Sequence, residues 1–533
     1  MTAEWWRGAV TYQVYPRSFQ DDNGDGIGDL PGITRRLPYL ADLGVDVVWL
    51  SPVSTSPMRD MGYDVSDYRD IDPVFGTLAD FDRMVARAHQ LGLKVIIDQV
   101  ISHSSNLHPA FVESRASRTG PKSDWYVWAD PHPDGTPPNN WLAVFGGSAW
   151  TWDARRHQYY FHNFLPEQPD FNFHNPEVQD WHLDNMAFWL DRGVDGFRLD
   201  TVNYYFHDRL LRDDAADYRV KSKLENNPYN MQYHLFSKNQ PENITFLERL
   251  RALSESYGSR MLVGEMGESH HAIRMMGDYT SGGRLHQCYS FDMLGPEFTA
   301  AHFRSKIEEF FAGAPDGWPC WAFSNHDVNR HVTRWLAQGA GRDEVAKQAA
   351  ALLLSFQGSI CLYQGEELGQ TETELRFEEL TDPAGINFWP EEKGRDGCRT
   401  PMVWERDAPN AGFSTAEKTW LPVRDPQRAV AVDTQGGEGS VLAFYRRMLA
   451  YRKASADLMA GATAFLPLPE PLLGFRRGAG TLCVFNLSAD THTLACKGGA
   501  ARIEGNASHR AGILTLGASG FAIIEGAVDI SSL

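Results

Sequence analysis

The sequence has few cysteines, no long apolar run and a deficit of positive charge. Its six cysteines are scattered over 533 residues without a CxxC pair or metal-ligand spacing, so we expect reduced thiols. No stretch approaches the ~20 uninterrupted apolar residues that a membrane-spanning helix needs, and residues 1–10 lack the pattern of a signal peptide. These absences argue against a membrane protein and a disulfide-stabilised secreted domain, and they predict a cytoplasmic location.

The charge balance narrows the class of partner. The chain has 50 basic and 69 acidic residues, which give a formal net charge of −19. Such an excess of negative charge argues against nucleic acid or an anionic membrane surface as a partner. Aromatic residues make up 12% of the chain, and aromatic pockets suit sugar faces. We therefore expect a small, uncharged substrate and a monomer or homodimer.

Short apolar runs alternate with helical patterns through most of the chain, which is typical of βα units around a parallel sheet. Helical patterns cover Leu78–Gln90, Glu177–Leu190 and Asp343–Leu354. Eight apolar runs predict an α/β fold, a (β/α)8 TIM barrel. The candidate strands are Ala9–Tyr15, Asp46–Leu50, Lys94–Val100, Asp195–Leu199, Arg260–Gly264, Cys288–Asp292, Trp318–Phe323 and Ser359–Tyr363.

Two further segments depart from the barrel pattern. After the third strand, where a helix is expected, residues 103–173 form an excursion rich in Trp, Pro, Asn and Gly. Because structureless loops of that length are uncommon, this excursion predicts a small inserted domain. From residue 456 to 533, short strand-like runs bounded by turn residues, among them 512–516 and 520–524, predict an antiparallel β domain. The barrel then comprises residues 1–102 and 174–455. A second excursion, Tyr204–Glu242, leaves the fourth strand and is expected to form a pocket wall.

Charged and polar side chains follow several of the predicted strands. In a barrel the carboxyl ends of all strands surround one bowl, so these side chains are expected to converge. Burying several carboxylates and histidines in one cleft is costly unless function requires it. The clusters are Asp98 to His103, Arg198 with Asp200, Glu265, Asn325 to Asp327, and Tyr63 with Asp64.

Two of these carboxylates suggest glycosidic chemistry. Arg198 and Asp200 share a face of a strand because side chains alternate with period two, so the guanidinium is expected to keep Asp200 ionised. If Glu265 stands roughly 5 Å away, one carboxylate attacks the anomeric carbon while the other protonates the leaving oxygen. A neighbouring negative charge would raise the pKa of Glu265 toward the acid role. This is the retaining, two-step mechanism.

The ordered motifs resemble the α-amylase family of glycoside hydrolases over nearly the full chain. Its four signature regions are similar to Asp98 with His103, Gly196 to Asp200, Glu265, and Asn325 to Asp327. The α-glucosidase and oligo-1,6-glucosidase branch is indicated by further motifs. These are Trp5-Trp6-Arg7, residues 12–16 with Phe19, Gly62 to Asp64, residues 364–368 and residues 395–402.

The resemblance implies roles for the site residues. Asp200 is expected to be the nucleophile, Glu265 the acid/base and Asp327 the third carboxylate, which grips hydroxyls of the distorted sugar. A pair between Asp64 and Arg395 would close the far end of the pocket and make the enzyme act on terminal residues. The expected residues around the terminal glucose are Asp64, His103, Arg198, His326 and Arg395, with Tyr63 as a stacking platform.

Specificity rests on fewer residues. In the resembling branch, the residue after the nucleophile is Val in α-1,6-preferring members and smaller or hydroxylated in α-1,4-preferring ones; here it is Thr201, although a Thr there is also an ordinary strand residue. Phe145, Phe164 and Phe291 are candidates for the acceptor side and equally for packing. The expected substrates are maltose, short oligosaccharides and aryl or alkyl glucosides. An apolar acceptor site would favour transglucosylation.

Residues 21–29 suggest a metal site. Asp21, Asn23, Asp25, Ile27 and Asp29 offer oxygens at alternate positions with Gly at the sixth, like the start of a calcium-binding loop, but Gly32 replaces the bidentate Glu. An Asx/Gly turn explains the same pattern. The resemblance implies a structural Ca2+ or Mg2+ ion and no organic cofactor.

Three alternatives remain at this stage. An α-1,6-preferring oligo-glucosidase, or a sucrose- or trehalose-type glucosyl isomerase or transferase of the same family, would share the catalytic residues. Non-catalytic binding relatives lack the three carboxylates that this chain has. An open-cleft α-amylase is disfavoured by the predicted closed end of the pocket.

Overall fold

The computed structural model describes residues 4–219, 226–338 and 341–532. Eight parallel strands form one sheet in the order β6-β5-β4-β3-β2-β1-β8-β7, and a parallel bridge between Cys288 and Pro319 joins its two edges. The predicted TIM barrel is therefore confirmed. Its strands are β1 (Val10–Val14), β2 (Val47–Leu50), β3 (Lys94–Gln99), β4 (Gly196–Leu199), β5 (Met261–Met266), β6 (Gln287–Ser290), β7 (Cys320–Ala322) and β8 (Ser359–Tyr363).

Helices surround the barrel with one apolar face inward. In Leu30–Leu43 the buried residues recur every three or four positions, which is the helical period, and they pack against the sheet. Thr77 begins Leu78–Gln90 through a reciprocal capping box with Asp80. The other α-helices of the described chain are Pro109–Ala116, Pro176–Asp191, Asn243–Ser256, Ala272–Thr280, Ala300–Gly313, His331–Trp335, Arg342–Ser355, Pro383–Phe388, Asp425–Arg428, Val441–Ala454 and Ala456–Ala460.

Both excursions lie above the carboxyl ends of the strands. After β3, a three-stranded antiparallel sheet forms from Trp128–Ala129, Trp150–Asp153 and Gln158–Phe161 around a small aromatic core. After β4, a two-stranded ribbon pairs Ala215–Ala216 with Gln232–Tyr233. Residues 220–225 of this second excursion lie outside the described residues. The excursions therefore stand beside the mouth of the barrel.

The C-terminal strands form a five-stranded antiparallel sheet, as predicted. The order is β9-β10-β11-β13-β12. One detail of the prediction is wrong: the runs at 512–516 and 520–524 belong to a single strand of 20 residues, paired with a 19-residue strand that the Gly- and Ala-rich sequence does not signal. The strands are β9 (Thr463–Phe465), β10 (Leu472–Arg477), β11 (Thr481–Asn486), β12 (His492–Arg510) and β13 (Ile513–Ser532).

The C-terminal sheet is fastened to the barrel by buried contacts. The guanidinium of Arg477 is fully buried and donates to the main-chain oxygens of Ser355 and Leu458. Phe444, on a barrel helix, packs edge-on against Phe521 of β13. Across the described ranges, no helix combines the length and the apolar character needed to cross a membrane.

Candidate active site

A buried arginine joins three carboxylates at the carboxyl ends of β3, β4 and β5. Arg198, on β4, is inaccessible to solvent. Its Nη1 lies 2.8 Å from Asp98 and 2.5 Å from Asp200, and its Nη2 lies 2.5 Å from Glu265. The strand register explains this grouping, because Arg198 lies directly opposite Asp98 on β3 and Val263 on β5. The side chains predicted to converge do converge here.

Asp200 and Glu265 share a pKa near neutrality. Burial raises the pKa of each carboxyl to about 7, although the charge of Arg198 acts in the opposite direction. The expectation that Arg198 alone holds Asp200 ionised therefore needs correction, since loss of solvation outweighs the ion pair. Asp98 lies on the same guanidinium and its pKa is raised as well, so the three carboxyls titrate together and not independently. One ionised and one protonated carboxyl is the state that acid-assisted nucleophilic attack requires.

Two hydrogen bonds orient Glu265. The hydroxyl of Tyr289, on β6, donates to Oε1 at 2.9 Å, and the main-chain N–H of Thr201 donates to Oε2 at 3.2 Å. Thr201 has a φ of 39°, a conformation that a β-branched residue rarely adopts. This turn places the residue after Asp200 over Glu265, so Thr201 contacts both catalytic candidates.

Asp327 is held ionised by its neighbours. It lies 3.2 Å from Arg395 and 3.1 Å from Arg399. Burial would raise its pKa, but the positive charges of Arg395 and Arg399 lower that pKa below its usual range. Asp327 is therefore ionised at neutral pH, a hydrogen-bond acceptor and not a proton donor.

The floor of the site is a hydrogen-bonded stack. The rings of Tyr63 and His326 are parallel within 8° and 5.3 Å apart. Burial lowers the pKa of His326 well below its usual value, so the imidazole is neutral, accepting from Gln13 at 2.8 Å and donating to the Tyr63 oxygen at 2.5 Å. Tyr63 then donates to Asp98 at 3.1 Å. This chain fixes a flat face against which a sugar ring packs.

His103 completes this part of the site. It lines the cavity, lies 3.0 Å from the main-chain oxygen of Tyr63, and is neutral because burial lowers its pKa to about 4. Its other ring nitrogen lies 2.9 Å from the Ser102 hydroxyl. Both ring nitrogens therefore have partners, which fix the neutral imidazole in the cavity wall.

The predicted pair between Asp64 and Arg395 is wrong. The carboxylate of Asp64 is turned into its own loop, where it accepts from the main-chain N–H groups of Arg59 at 2.9 Å and Asp60 at 3.0 Å, and it does not line the cavity. Arg395 pairs instead with Asp60, at 2.9 Å, and with Asp327. An aspartate that caps its own turn is locally satisfied, so the residue four positions earlier provides the carboxylate that faces Arg395.

A cavity of about 420 Å³ runs from this charged end to an aromatic outer wall. The residues predicted for the acceptor side, Phe145, Phe164 and Phe291, all line it, and so does Thr201, which was predicted to set the linkage preference. Sequence reasoning missed nine lining residues, and the position of the second excursion signals only the four that belong to it, Tyr204, Asn227, Tyr229 and Asn230. The missed residues are Asp60, Val144, Tyr204, Asn227, Tyr229, Asn230, Gly267, Ala384 and Glu392.

The predicted metal loop is satisfied by its own backbone. Asp21 accepts from the N–H groups of Gly24 and Gly26, and Asp29 accepts from those of Asp22 and Asn23. The all-oxygen donor set suits a hard cation. However, the described part of the chain contains no group of three His, Cys, Asp or Glu side chains arranged to hold a metal ion. The cation therefore stays a prediction.

Sequence comparison gives one family and a consistent set of relatives. The family model of the α-amylase catalytic domain matches residues 13–461. The probable α-glucosidase of Rhizobium meliloti (strain 1021) is 56% identical over 501 residues, 92% of this chain and 90% of that protein. The oligo-1,6-glucosidase of Heyndrickxia coagulans is 37% identical over 503 residues, 88% of each chain.

Solved structures agree over almost the whole length. The α-glucosyl transfer enzyme XgtA is 53% identical with a TM-score of 0.94, and the match covers 98% of this chain and 99% of that one. The trehalulose synthase MutB from Pseudomonas mesoacidophila MX-45 is 30% identical with a TM-score of 0.88, covering 99% and 100%.

Proposed function

Because the chain belongs to the α-amylase family of glycoside hydrolases and is an enzyme of that kind, we propose that it is a retaining α-glucosidase. It releases terminal α-glucose from short α-1,4-linked glucosides such as maltose. The observation that carries this proposal is the pair of buried carboxyls, Asp200 and Glu265, held by neighbouring nitrogens of Arg198 beside one cavity. The α-glucosidases among its relatives support the same activity.

The mechanism follows from the roles of these carboxyls. A carboxylate oxygen of Asp200 attacks the anomeric carbon while Glu265 gives its proton to the glycosidic oxygen, so the aglycone leaves as a neutral alcohol. Glu265 then takes a proton from water, and the hydroxide formed attacks the anomeric carbon and releases Asp200. Holding both carboxyls on one guanidinium favours the short separation, about 5 Å, of retaining enzymes over the wider gap of inverting ones.

The charged end of the cavity supports action on terminal glucose. Asp60, Arg395 and Asp327 form a buried ion-pair chain across that end. Such a barrier leaves no path for a further sugar unit beyond the glucosyl residue, which is why an exo-acting enzyme fits better than an open-cleft amylase. Asp327, beside the neutral His326, accepts hydrogen bonds from the hydroxyls of that glucosyl residue as its ring flattens toward the transition state.

Linkage preference and glucosyl transfer depend on the side of the cavity that faces the aglycone, opposite the charged end. Thr201 lies between Asp200 and Glu265, where the small hydroxylated side chain leaves room for an α-1,4-linked aglycone. The aromatic lining by Phe145, Phe164 and Tyr204 offers flat apolar faces to an acceptor sugar or alcohol, which supports transglucosylation. The 53% identity to an α-glucosyl transfer enzyme favours the same property.

A substrate profile tests this proposal. We expect hydrolysis rates to be higher on maltose than on isomaltose, sucrose and starch, with glucose transfer to a second sugar at high maltose. Faster hydrolysis of isomaltose would replace α-1,4 by α-1,6 preference, as in the oligo-1,6-glucosidase relatives. Conversion of sucrose into an isomer would favour a glucosyl isomerase, and faster digestion of starch than maltose would contradict the closed pocket.

A further inference from the structure

A buried lysine lies directly behind the outer wall of the cavity. Lys238, in the second excursion, is 3% exposed and does not line the cavity. Its Nζ donates to the main-chain oxygen of Gly267 at 2.6 Å and to the hydroxyl of Tyr204 at 3.1 Å, and it lies 3.5 Å from Glu268. The ammonium thus joins the excursion, the turn after Asp200 and the segment after β5.

Lys238 stays charged in this position. Burial lowers its pKa, but the facing Tyr204, Tyr229 and Glu268 raise that pKa well above its usual value. An ammonium group has three donors that point in different directions. Two of them donate to Gly267 and Tyr204, and the charge of the group is paired with Glu268 at 3.5 Å.

The two tyrosines are the part of the wall that this ammonium reaches. The hydroxyls of Tyr204 and Tyr229 are 2.7 Å apart, and the Lys238 Nζ lies 4.6 Å and 5.6 Å from their ring centroids. The Tyr204 ring also stacks on Phe164, with centroids 5.6 Å apart and planes inclined by 26°. All three rings line the cavity. Tyr204 is consequently fixed at its hydroxyl end by Lys238 and on one face by Phe164.

The neighbouring asparagines strengthen the same junction. The amide of Asn203 donates to Asn239 at 2.7 Å and accepts from the N–H of Gly267 at 3.0 Å. Asn239 in turn donates to Glu268. Asn203 lies three residues after Asp200 and Gly267 lies two residues after Glu265. The junction therefore fixes the outer wall relative to both catalytic carboxyls.

Stability alone does not explain a buried ion pair here. The desolvation of two charges generally offsets their attraction, so packed apolar residues of the same volume would stabilise the fold as well or better. The Lys238 and Glu268 pair instead fixes local geometry, because the ammonium holds the Tyr204 hydroxyl, the Gly267 main-chain oxygen and the Glu268 carboxylate in one arrangement. A wall held in this way discriminates between aglycones by shape.

We propose that Lys238 is a positioning residue for the aglycone side of the reaction. By fixing Tyr204 and Tyr229 it sets which leaving groups and acceptors the enzyme uses. It has no part in binding the glucosyl residue itself, which lies at the Asp60 and Arg395 end. This inference rests on the α-glucosidase function proposed above.

The test compares donors that share the glucosyl group and differ only in the aglycone. For maltose and p-nitrophenyl α-glucoside, kcat/KM is measured for the native enzyme, Lys238→Met, Tyr204→Phe and the double variant. Because the glucosyl contacts cancel in the ratio of the two constants, that ratio reports the aglycone side alone. We expect Lys238→Met to change the ratio by about tenfold or more, the size of a lost hydrogen bond to a charged group.

Tyr204→Phe removes the hydroxyl that Lys238 holds, so it is expected to move the ratio in the same direction. The double variant should then change it by less than the product of the two single effects. Parallel losses on both donors, with the ratio constant within twofold, would make Lys238 a structural residue only and overturn the proposal.

If Lys238→Met does not fold, Lys238→Met/Glu268→Met removes both buried charges and reads the same ratio with the same two outcomes. Absence of native activity on both donors would instead contradict the proposed function.

Discussion

The two ends of the cavity are lined by different kinds of side chain. At the inner end, Asp60, Arg395, Asp327 and Arg399 form a chain of buried ion pairs with contacts of 2.9–3.2 Å. At the outer end the lining is mostly aromatic, from Phe164, Phe291, Tyr204 and Tyr229, while Phe145 lies against the Arg395 guanidinium. Charged groups require fixed partners and tolerate little variation, whereas aromatic faces accept many flat surfaces.

This difference assigns a separate task to each end. In the proposed function, the inner end binds the hydroxyls of one terminal glucosyl residue, which is the constant part of every substrate. The outer end meets the aglycone, which varies between substrates and between hydrolysis and transfer. Changes at the inner end should therefore affect all donors alike, and changes at the outer end should alter the preference among donors.

Asp200→Asn gives the largest expected effect, because it removes the nucleophile that both ends serve. We expect kcat to fall on the order of 10⁴-fold or more for every α-glucoside. Steady-state hydrolysis of maltose and p-nitrophenyl α-glucoside measures it. Asp82→Asn, which changes a surface carboxylate paired with Arg192, is the matched control and should keep native rates. Residual activity within tenfold of native would exclude Asp200 as the nucleophile.

Glu265→Gln should distinguish donors by their leaving groups. General acid catalysis contributes about 10²- to 10⁴-fold, so hydrolysis of maltose should fall by that amount. The first step on p-nitrophenyl α-glucoside should fall much less, since nitrophenolate leaves without a proton. Burst-phase kinetics measure that step. Equal losses on both donors would remove Glu265 from the acid role.

The dependence of kcat/KM on pH tests the roles assigned to Asp200 and Glu265. Burial raises the pKa of Asp200 and that of Glu265 to about 7. The native kcat/KM should fall as pH decreases and Asp200 takes up a proton, and should fall as pH rises and Glu265 loses its proton. In Glu265→Gln, with the aryl donor, the alkaline decline should disappear. If the alkaline decline persists in this variant, a group other than Glu265 causes it.

Asp60→Asn tests the inner end directly. It weakens the pair with Arg395, so kcat/KM for maltose and for p-nitrophenyl α-glucoside should fall together, by about 10- to 100-fold. Asp64→Asn is the matched control, because Asp64 caps its own turn. We expect it to lower the melting temperature while changing kcat/KM less than Asp60→Asn does. A larger loss of activity in Asp64→Asn would restore the original assignment of Asp64.

The sequence predicts the charged residues that follow the barrel strands better than it predicts the residues that loops contribute to the cavity. Asp98, Arg198, Asp200, Glu265 and Asp327 all lie at strand ends, and barrel topology brings strand ends together whatever the loops do. Their convergence therefore follows from the strand pattern alone.

Loop residues do not obey such a rule. Asp60 and Asp64 are four positions apart in one loop, and only the hydrogen bonds of Asp64 to its own turn decide which of them meets Arg395. Tyr204 and Tyr229 were missed for the same reason, since the path of the second excursion depends on contacts with Lys238 and Asn203. Conversely, the long strands of residues 492–532 were underestimated because glycine and alanine carry little strand signal.

Thr201→Val gives a smaller effect and is expected to separate linkages. A valine methyl group in place of the hydroxyl, between Asp200 and Glu265, should raise the ratio of isomaltose to maltose hydrolysis several-fold. Thr201→Ser, which keeps the hydroxyl, is the control and should retain the native ratio. A ratio unchanged by valine would mean that the aglycone is selected elsewhere along the outer wall.

The smallest expected effect concerns the loop of residues 21–29, which lies outside both ends. If it binds Ca2+, adding the ion after chelation should raise the melting temperature by a few degrees, because a ligand that binds only the folded state stabilises it. KM for maltose should stay constant. Asp25→Asn should reduce the shift. An equal shift of the melting temperature in the variant, or no shift in the native protein, would show that this loop does not bind the ion.

The most direct test of the retaining mechanism is the anomeric configuration of the first glucose released. Proton NMR during early hydrolysis of p-nitrophenyl α-glucoside follows both anomers before mutarotation mixes them. The geometry of Asp200, Glu265 and Arg198 predicts that α-glucose appears first. Initial release of β-glucose would mean a single inverting displacement and would contradict the role of Asp200 as nucleophile.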